Sequence, residues 1–429
     1  MSPIKVCVIG AGSYVFGPSI LHQCICENRL SGLEIYLHDV DGAAVSCMEQ
    51  IGRRMAEESG VAVQLKASTD RRESLAGAAF VVYSAAPQLA RNFQIDCEII
   101  EQFSPGGYKG EFGGIAGISY SLRQIELLES VAADMRELCP QAVLCCTANP
   151  LPRLIQAAHE LGVKAVGFCS ASSGIYSDLW QLFGGEAESF PWPSAHRRWK
   201  IQWAGVNHFT WLLSVQDRQT GEDVYPEIRS RIAAGQSMGS PRAEAFLKKW
   251  GVLLLPNDHH TRDFLEAELD EHAAETPAHG TPIERGERQR MLQGAAEGRI
   301  HWRELVQHPS WERIADLIGA MAFNQPAEFV ALNLINQGQL PQLPPEVVVE
   351  TPAHADASGI HPVNLPLPEA VLPITRRAAD VSHAIVRAAL DRDRTALWQA
   401  VEMDPTIRDK ASARRAVEVC LIRHLKNPF

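Results

Sequence analysis

The strongest constraint on this chain is a short apolar run, Ile4 to Ile9, that ends in Gly10-Ala11-Gly12-Ser13 and leads into a helical stretch, roughly Val15 to Arg29. Glycines in such a turn let another molecule approach the backbone. The helix that follows offers free N–H groups and a positive end. A second apolar run, Leu33 to Leu37, closes at His38-Asp39. A carboxylate at the end of the second strand can hold the ribose hydroxyls of a dinucleotide, while the first turn takes its pyrophosphate. Gly10, Gly12, Ser13 and Asp39 are therefore candidate cofactor residues, and an acid at position 39 favours NAD over NADP. Asp39 also reads as a helix N-cap, and Asp41 competes for either role. The third glycine of the G-x-G-x-x-G pattern is missing: Val15 stands there, with Gly17 two residues on.

Strands and helices keep alternating. Val40 to Ser59 is helical, with Met48, Ile51 and Met55 on one face. Val61 to Ala67, Ala79 to Ser84, Ala142 to Thr147 and Lys164 to Cys169 read as strands, and Gln124 to Leu138 as a helix. This alternation predicts a parallel sheet with right-handed crossovers. After about residue 195 the pattern changes. Ile201 to Val206 and Trp211 to Val215 read as strands joined through Asn207-His208, followed mainly by helices from Glu244 to Gln337. Pro-rich stretches at Leu340 to Pro345 and His361 to Pro373 read as ordered surface loops. The expected fold class is α/β, with a Rossmann-type domain over 1–195. An α+β domain over 196–429 is expected to carry substrate, metal and oligomer contacts.

Composition narrows the partners. The chain has 429 residues, 46% of them hydrophobic and 21% charged, which fits a packed globule of two interlocked domains. A formal net charge of −11 argues against nucleic acid or an anionic membrane surface as partner. The ten cysteines lack the spacing of a disulfide framework. Cys24, Cys26, Cys145 and Cys146 lie in apolar stretches and read as small buried side chains in a reducing compartment. With no secretion signal and no apolar stretch of about 18 residues, the expected location is the cytoplasm.

Three further constellations carry chemistry. Cys169 ends a strand, where open α/β sheets place their ligands, and His208 sits at a break between strands. Such a pair can bind a divalent ion and leave positions open for substrate and water, although each residue alone reads as structural. Pro256-Asn257-Asp258-His259-His260, with Arg262 and Asp263, sets carboxylate beside imidazole, as general acid–base work requires; a polar loop capping a helix is the alternative. Tyr108-Lys109-Gly110-Glu111-Phe112-Gly113-Gly114, followed by Leu122-Arg123, reads as a substrate lid or as a plain surface loop.

Taken together these residues resemble glycoside hydrolase family 4, the NAD- and manganese-dependent glycosidases, over nearly the whole chain. The resemblance is carried by Gly10-Ala11-Gly12-Ser13 with Asp39, Thr147-x-Asn149-Pro150, Cys169 and Gly205-Val206-Asn207-His208. It extends through Asn336 to Pro341, Leu343-Pro344 and Val347 to Pro352. Counted back from Leu122-Arg123, Glu111 falls on the Glu of the family's Gln-Glu-Thr-Thr-Gly loop. The resemblance implies an exception to two-carboxylate glycosidase chemistry. It implies oxidation at C3 of the sugar by NAD, deprotonation at C2, elimination of the aglycone with a divalent metal, then addition of water and return of the hydride. NAD is then regenerated at every turnover.

Residue by residue, the resemblance implies Cys169 and His208 as metal ligands. Asn149 and Asn207 are substrate contacts, Asn149 also touching the cofactor, and Glu111 is a hydroxyl or proton-transfer residue. Asp258 with His260 resembles the Gly-Asp-Arg-His segment of the α-glucosidase and α-galacturonidase branches, which makes Asp258 the expected base. Arg91 and Arg123 are candidates for a substrate anion or cofactor phosphate, with a surface salt bridge the equal alternative for each. Ser170 departs from the family, where His, Asp or Asn is usual, and Gly114 to Tyr120 departs from its Gly-Pro-Gly-Gly pattern. The implied substrate is an α-glycoside whose anionic group, if any, is a phosphate, carboxylate or sulfonate. Homodimers or homotetramers are expected. The alternatives are a 2-hydroxyacid or sugar dehydrogenase of the related lactate/malate dehydrogenase fold, and a non-catalytic sensor.

Overall fold

Six strands of the first half are parallel: β1 (Ile4–Ile9), β2 (Leu33–His38), β3 (Gln64–Ser68), β4 (Phe80–Tyr83), β5 (Val143–Cys146) and β6 (Lys164–Gly167). They belong to a computed structural model that describes residues 3–86, 88–186, 198–237, 241–256, 259–265, 282–306, 310, 312–426 and 428. Six more pair antiparallel: β7 (Trp199–Val206), β8 (Phe209–Asp217), β9 (Leu253–Leu255), β10 (Ala327–Ile335), β11 (Val348–Asp356) and β12 (Gly359–Pro362). All join one sheet of order β3-β2-β1-β4-β5-β6-β10-β11-β7-β8-β9, with β12 beside β11.

The central parallel strands are continuous apolar runs because both of their faces are covered. Their period of two sorts residues between two cores. Cys7, Ile9, Val81, Tyr83, Leu144 and Cys146 enter one. Val6, Val8, Phe80, Val82 and Cys145 enter the other. The first core is closed by helices from the far end of the chain, Leu372–Asp391, Arg394–Met403 and Lys410–His424, through Ile385, Leu397 and Val417. Sequence-distant halves thus share one interior, and the expected division near residue 195 does not interrupt the sheet, because β10 pairs directly with β6 at Asn333↔Gly167.

Two expectations need correction. Part of the region read as helical, Ala327–Ile335, is β10, and β11 and β12 follow it. Ala, Leu and Glu in β10 are good helix formers, but pairing with β11 and β6 overrides that preference. The helix expected from Gln124 begins ten residues earlier, at Gly114. Among the described residues no helix is long and apolar enough to cross a membrane.

Candidate active site

The carboxyl ends of β1, β2 and β4 open onto a cleft of about 720 Å³ lined by Gly10, Gly12, Ser13, Asp39, Ser84 and Arg91. Gly10 has φ +84°, and a Cβ there would meet the backbone of Ser84 and Ala85 at 2.9 Å. The backbone N–H of Gly12 donates to Asp39 Oδ2 at 2.9 Å, and Ser13 Oγ accepts from the N–H groups of Val15 and Phe16 at 3.3 Å. Gly17 takes up the packing role of the missing third glycine, since a Cβ would lie 2.5 Å from the Ala11 carbonyl and 2.6 Å from Met48 Cε. The rivalry between Asp39 and Asp41 is resolved by geometry. Asp41 caps the helix Gly42–Ser59, accepting from Ala43 and Ala44, and Asp39 faces the glycine turn.

Cys169 and His208 meet in space. Sγ lies 3.1 Å from Nε2, so the two donor atoms converge. Cys169 comes two residues after β6, and His208 lies in the two-residue turn between β7 and β8 with φ +130°, a left-handed backbone rare outside glycine. The Ala171 N–H points at Sγ from 3.4 Å. Burial first, and then the Glu350 charge, push the Cys169 thiol well above its usual range. Among the described residues no third His, Cys, Asp or Glu atom joins this pair closely enough to complete a ligand set.

Beneath the pair lies a buried carboxylate that sequence reading did not single out. The sheet register runs Gly167↔Asn333↔Glu350↔Gly205, which sets Glu350 between the strands leading to Cys169 and His208. Its Oε2 accepts from Asn207 Nδ2 at 2.7 Å and Asn333 Nδ2 at 2.9 Å. Its Oε1 accepts from Trp203 Nε1 at 3.2 Å and Ser172 Oγ at 3.3 Å. Burial raises the Glu350 pKa, and these four donors oppose the rise. An acid directly after the apolar run Val347 to Val349 was the available signal, because a carboxylate carried into a buried strand must find partners. Asn207 is 1% exposed and its Nδ2 donates to Glu350, which ties the His208 turn to the buried carboxylate.

The Gly-rich loop 108–114 is clamped against this centre. Asp263 accepts from the Tyr108 hydroxyl and from the Phe112 N–H, both at 2.6 Å. The buried Arg153 donates to the Phe112 carbonyl at 2.6 Å, and Asp404 accepts from the Gly114 N–H at 2.8 Å. The Phe112 ring then packs on the His208 imidazole, 4.5 Å between centroids, which joins this loop to the Cys169/His208 pair. The Glu111 charge is felt by the buried Tyr120 phenol, whose pKa is raised first by burial and then by Glu111.

Arg123 forms an ion pair, one of the two roles open to it, although a buried one. Its Nη1 lies 2.8 Å from Asp96 Oδ2 and 2.7 Å from Ser119 Oγ. Asp96 is fully buried and is also met by His424 at 2.9 Å. A cation neutralised between helices is not offered to a substrate. Arg91, by contrast, stands exposed on the rim of the dinucleotide cleft. Asn149 precedes a cis proline, and its carbonyl accepts from Gln124 Nε2 at 3.2 Å. Asp258 and the side chain of His260 lie outside the described residues.

Fold and site together define a Rossmann-type protein whose sheet carries a glycine-lined cleft and, at the end of β6, the converging side chains of Cys169 and His208. Residues 5–184 match the model of the family 4 glycosyl hydrolases, and residues 203–407 match that of their C-terminal domain. The chain belongs to glycosyl hydrolase family 4 and is a glycosidase. It is 27% identical to an alpha-galactosidase of Bacillus subtilis over 97% of this chain and 96% of that protein. Among solved structures it is similar to a putative glucosidase, lplD, of Bacillus subtilis, with TM-score 0.83, 22% identity and coverage of 98% and 100%. A 6-phospho-beta glucosidase of Thermotoga maritima, solved with manganese, NAD+ and glucose-6-phosphate, has TM-score 0.77 at 17% identity, with 98% of each chain covered. Malate dehydrogenase of Plasmodium falciparum shares the fold more distantly, with TM-score 0.51 at 14% identity over 90% of this chain and 99% of that one.

Proposed function

We propose that this chain hydrolyses an α-glycoside through oxidation at C3, deprotonation at C2 and elimination, using NAD and a divalent ion, manganese in the first instance. The observation that carries this reading is the 3.1 Å approach of Cys169 Sγ to His208 Nε2 on the sheet whose β1, β2 and β4 ends form a dinucleotide cleft. When bound, NAD supplies a hydride acceptor at the sugar, and the ion supplies a Lewis acid for its oxygens.

The chain's residues fit both groups. Gly10 and Gly12 make a tight turn in which a Cβ would collide with Ser84 and Ala85 or with Asp39 and Ala44, as the turn of a pyrophosphate-binding motif requires. Asp39 stands where ribose hydroxyls would be held, and Arg91 on the rim is placed for a phosphate. A thiolate and an imidazole make a donor set for a transition ion, and Glu350 holds the imidazole turn through Asn207. Glu111 orients sugar hydroxyls or passes a proton, Asn149 contacts sugar and nicotinamide, and Asp258, supported by His260, takes the C2 proton. The substrate class is an α-glycoside, either plain or bearing phosphate, carboxylate or sulfonate. The working assembly is a homodimer or homotetramer in the cytoplasm, where ten free thiols stay reduced.

The test is hydrolysis of α- and β-nitrophenyl glycosides, including 6-phospho, uronic and 6-sulfo forms, with and without NAD and Mn²⁺. Nitrophenol release that needs both additives, without net NADH, is the expected result. NADH formed from a hydroxy acid or free sugar, with no nitrophenol released from any member, would replace this reading with that of a dehydrogenase. Gly12→Val probes the cradle separately, since even its Cβ would lie 2.9 Å from Asp39 Oδ2 and 2.8 Å from Ala44 Cβ. It is expected to weaken NAD binding at least tenfold, about 1.4 kcal/mol, by calorimetric titration. Equal affinity in the variant would remove NAD from this cleft.

A further inference from the structure

We propose a second metal site, separate from Cys169 and His208, on the hairpin of β11 and β12. Its ligands are His354, Asp356 and His361, whose donor atoms all lie within 4.8 Å of one another. The register explains the convergence. His354 and His361 are directly opposed across the antiparallel pair, and Asp356 lies two residues beyond His354, opposite Gly359. Side chains two apart on one strand share a face with the residue across the ladder, so all three project to the same side. The two imidazole rings stack at 4.6 Å between centroids and 20° between planes.

The hairpin is built firmly enough to hold the set. Ala353 and Ala355, alternating with the ligands, are buried in the core at 4% and 0% exposure. The turn is tied by Asp356 Oδ1, which accepts from the Ser358 N–H at 2.7 Å and the Ser358 hydroxyl at 2.5 Å. The same oxygen lies 3.2 Å from His361 Nε2. His354 is exposed, so ions reach the site from solvent without opening the fold. Along β11 the ligands stand four to six residues beyond Glu350, roughly 13–20 Å at the rise of a strand, outside the network around Cys169.

Two imidazole nitrogens and one carboxylate oxygen favour borderline transition ions over magnesium or calcium. Three protein ligands at an exposed face leave the remaining positions to water. The ion would cross-link β12, which pairs only with β11, to the sheet that carries the active site. Without an ion the same residues form a surface ion pair, His361 with Asp356. Metal binding therefore separates the two roles.

The experiment is calorimetric titration of Zn²⁺ alone into tag-free, chelator-stripped full-length protein carrying Cys169→Ser, so that the other pair is disabled. One equivalent of Zn²⁺ per chain is expected. Adding His361→Gln, or His354→Gln in a parallel variant, should weaken that binding at least ~10-fold. The metal-free melting profile should stay near that of the parent, because these side chains lie at the surface. Bound Cu²⁺ should show nitrogen hyperfine coupling by electron paramagnetic resonance that is reduced in both variants. Zn²⁺ affinity and stoichiometry unchanged by both histidine substitutions would overturn the site. Retained glycosidase activity in the His361→Gln chain with Cys169 intact supports it as separate from the catalytic centre.

Discussion

Cys169→Ser is expected to abolish metal-dependent hydrolysis, lowering kcat/KM by about three orders of magnitude or more. The estimate follows from the several kcal/mol of charge stabilisation that a Lewis-acid ion provides, at about 1.4 kcal/mol per factor of ten. Serine keeps the size but replaces a soft thiolate with a poor, undissociated donor. NAD affinity should stay within about twofold, because Gly10 and Cys169 follow β1 and β6, three strand spacings or roughly 14 Å apart. Parallel measurement of nitrophenyl glycoside hydrolysis against Mn²⁺ concentration and of NAD binding separates the two effects. Full activity in the variant would remove the Cys169/His208 reading. Lost NAD binding would show that the substitution disturbs the cofactor half as well.

The second large effect is expected at Arg153, far from any motif. This side chain is 2% exposed and donates to the Phe112 carbonyl and the Ser121 hydroxyl, both at 2.6 Å, and to the Gly117 carbonyl at 3.2 Å. Burial lowers its pKa to about 10, with Asp404 and Asp263 opposing that fall, so it remains a cation at neutral pH. Arg153→Met would leave buried acceptors unsatisfied and the two nearby carboxylates without their counter-charge. A loss of about 3–5 kcal/mol in unfolding free energy is expected from breaking such a buried arrangement. The surviving folded fraction should turn over slowly, because the Phe112 carbonyl that anchors the Glu111 loop is released. Arg153→Lys should recover part of the stability, since it keeps the charge but not the planar fork that reaches three acceptors. Urea unfolding of the three proteins decides the matter, and a methionine variant as stable as the parent would show that the clamp is carried elsewhere.

These two residues also mark how far the chain could be read unaided. Cys169 and His208 read as a candidate pair from their strand-end positions, and the resemblance strengthens it, because nothing local to either residue points to the other. Arg153 was invisible: it sits in a helix, Leu151–Glu160, whose pattern gives no hint that a buried guanidinium will hold a distant loop. Arg123 stays undecided for the same reason. An arginine following a Gly-rich loop reads equally as an anion binder and as half of a salt bridge until Asp96 is found against it.

The sequence by itself determined the dinucleotide half. A strand, a glycine turn, a helix and an acid at the next strand end are all local, and each is encoded by residues within one or two elements of its partners. Only the tertiary structure decided the rest. β10 contains helix-forming residues yet pairs as a strand, because β6 and β11 offer backbone partners on both sides. Glu350 became the support of the His208 turn because the register sets it between Asn333 and Gly205. Side-chain polarity and period act along the chain and are legible there. Strand register, burial of charge and the meeting of distant side chains depend on which surfaces close on one another, and that is settled only when the whole sheet has formed.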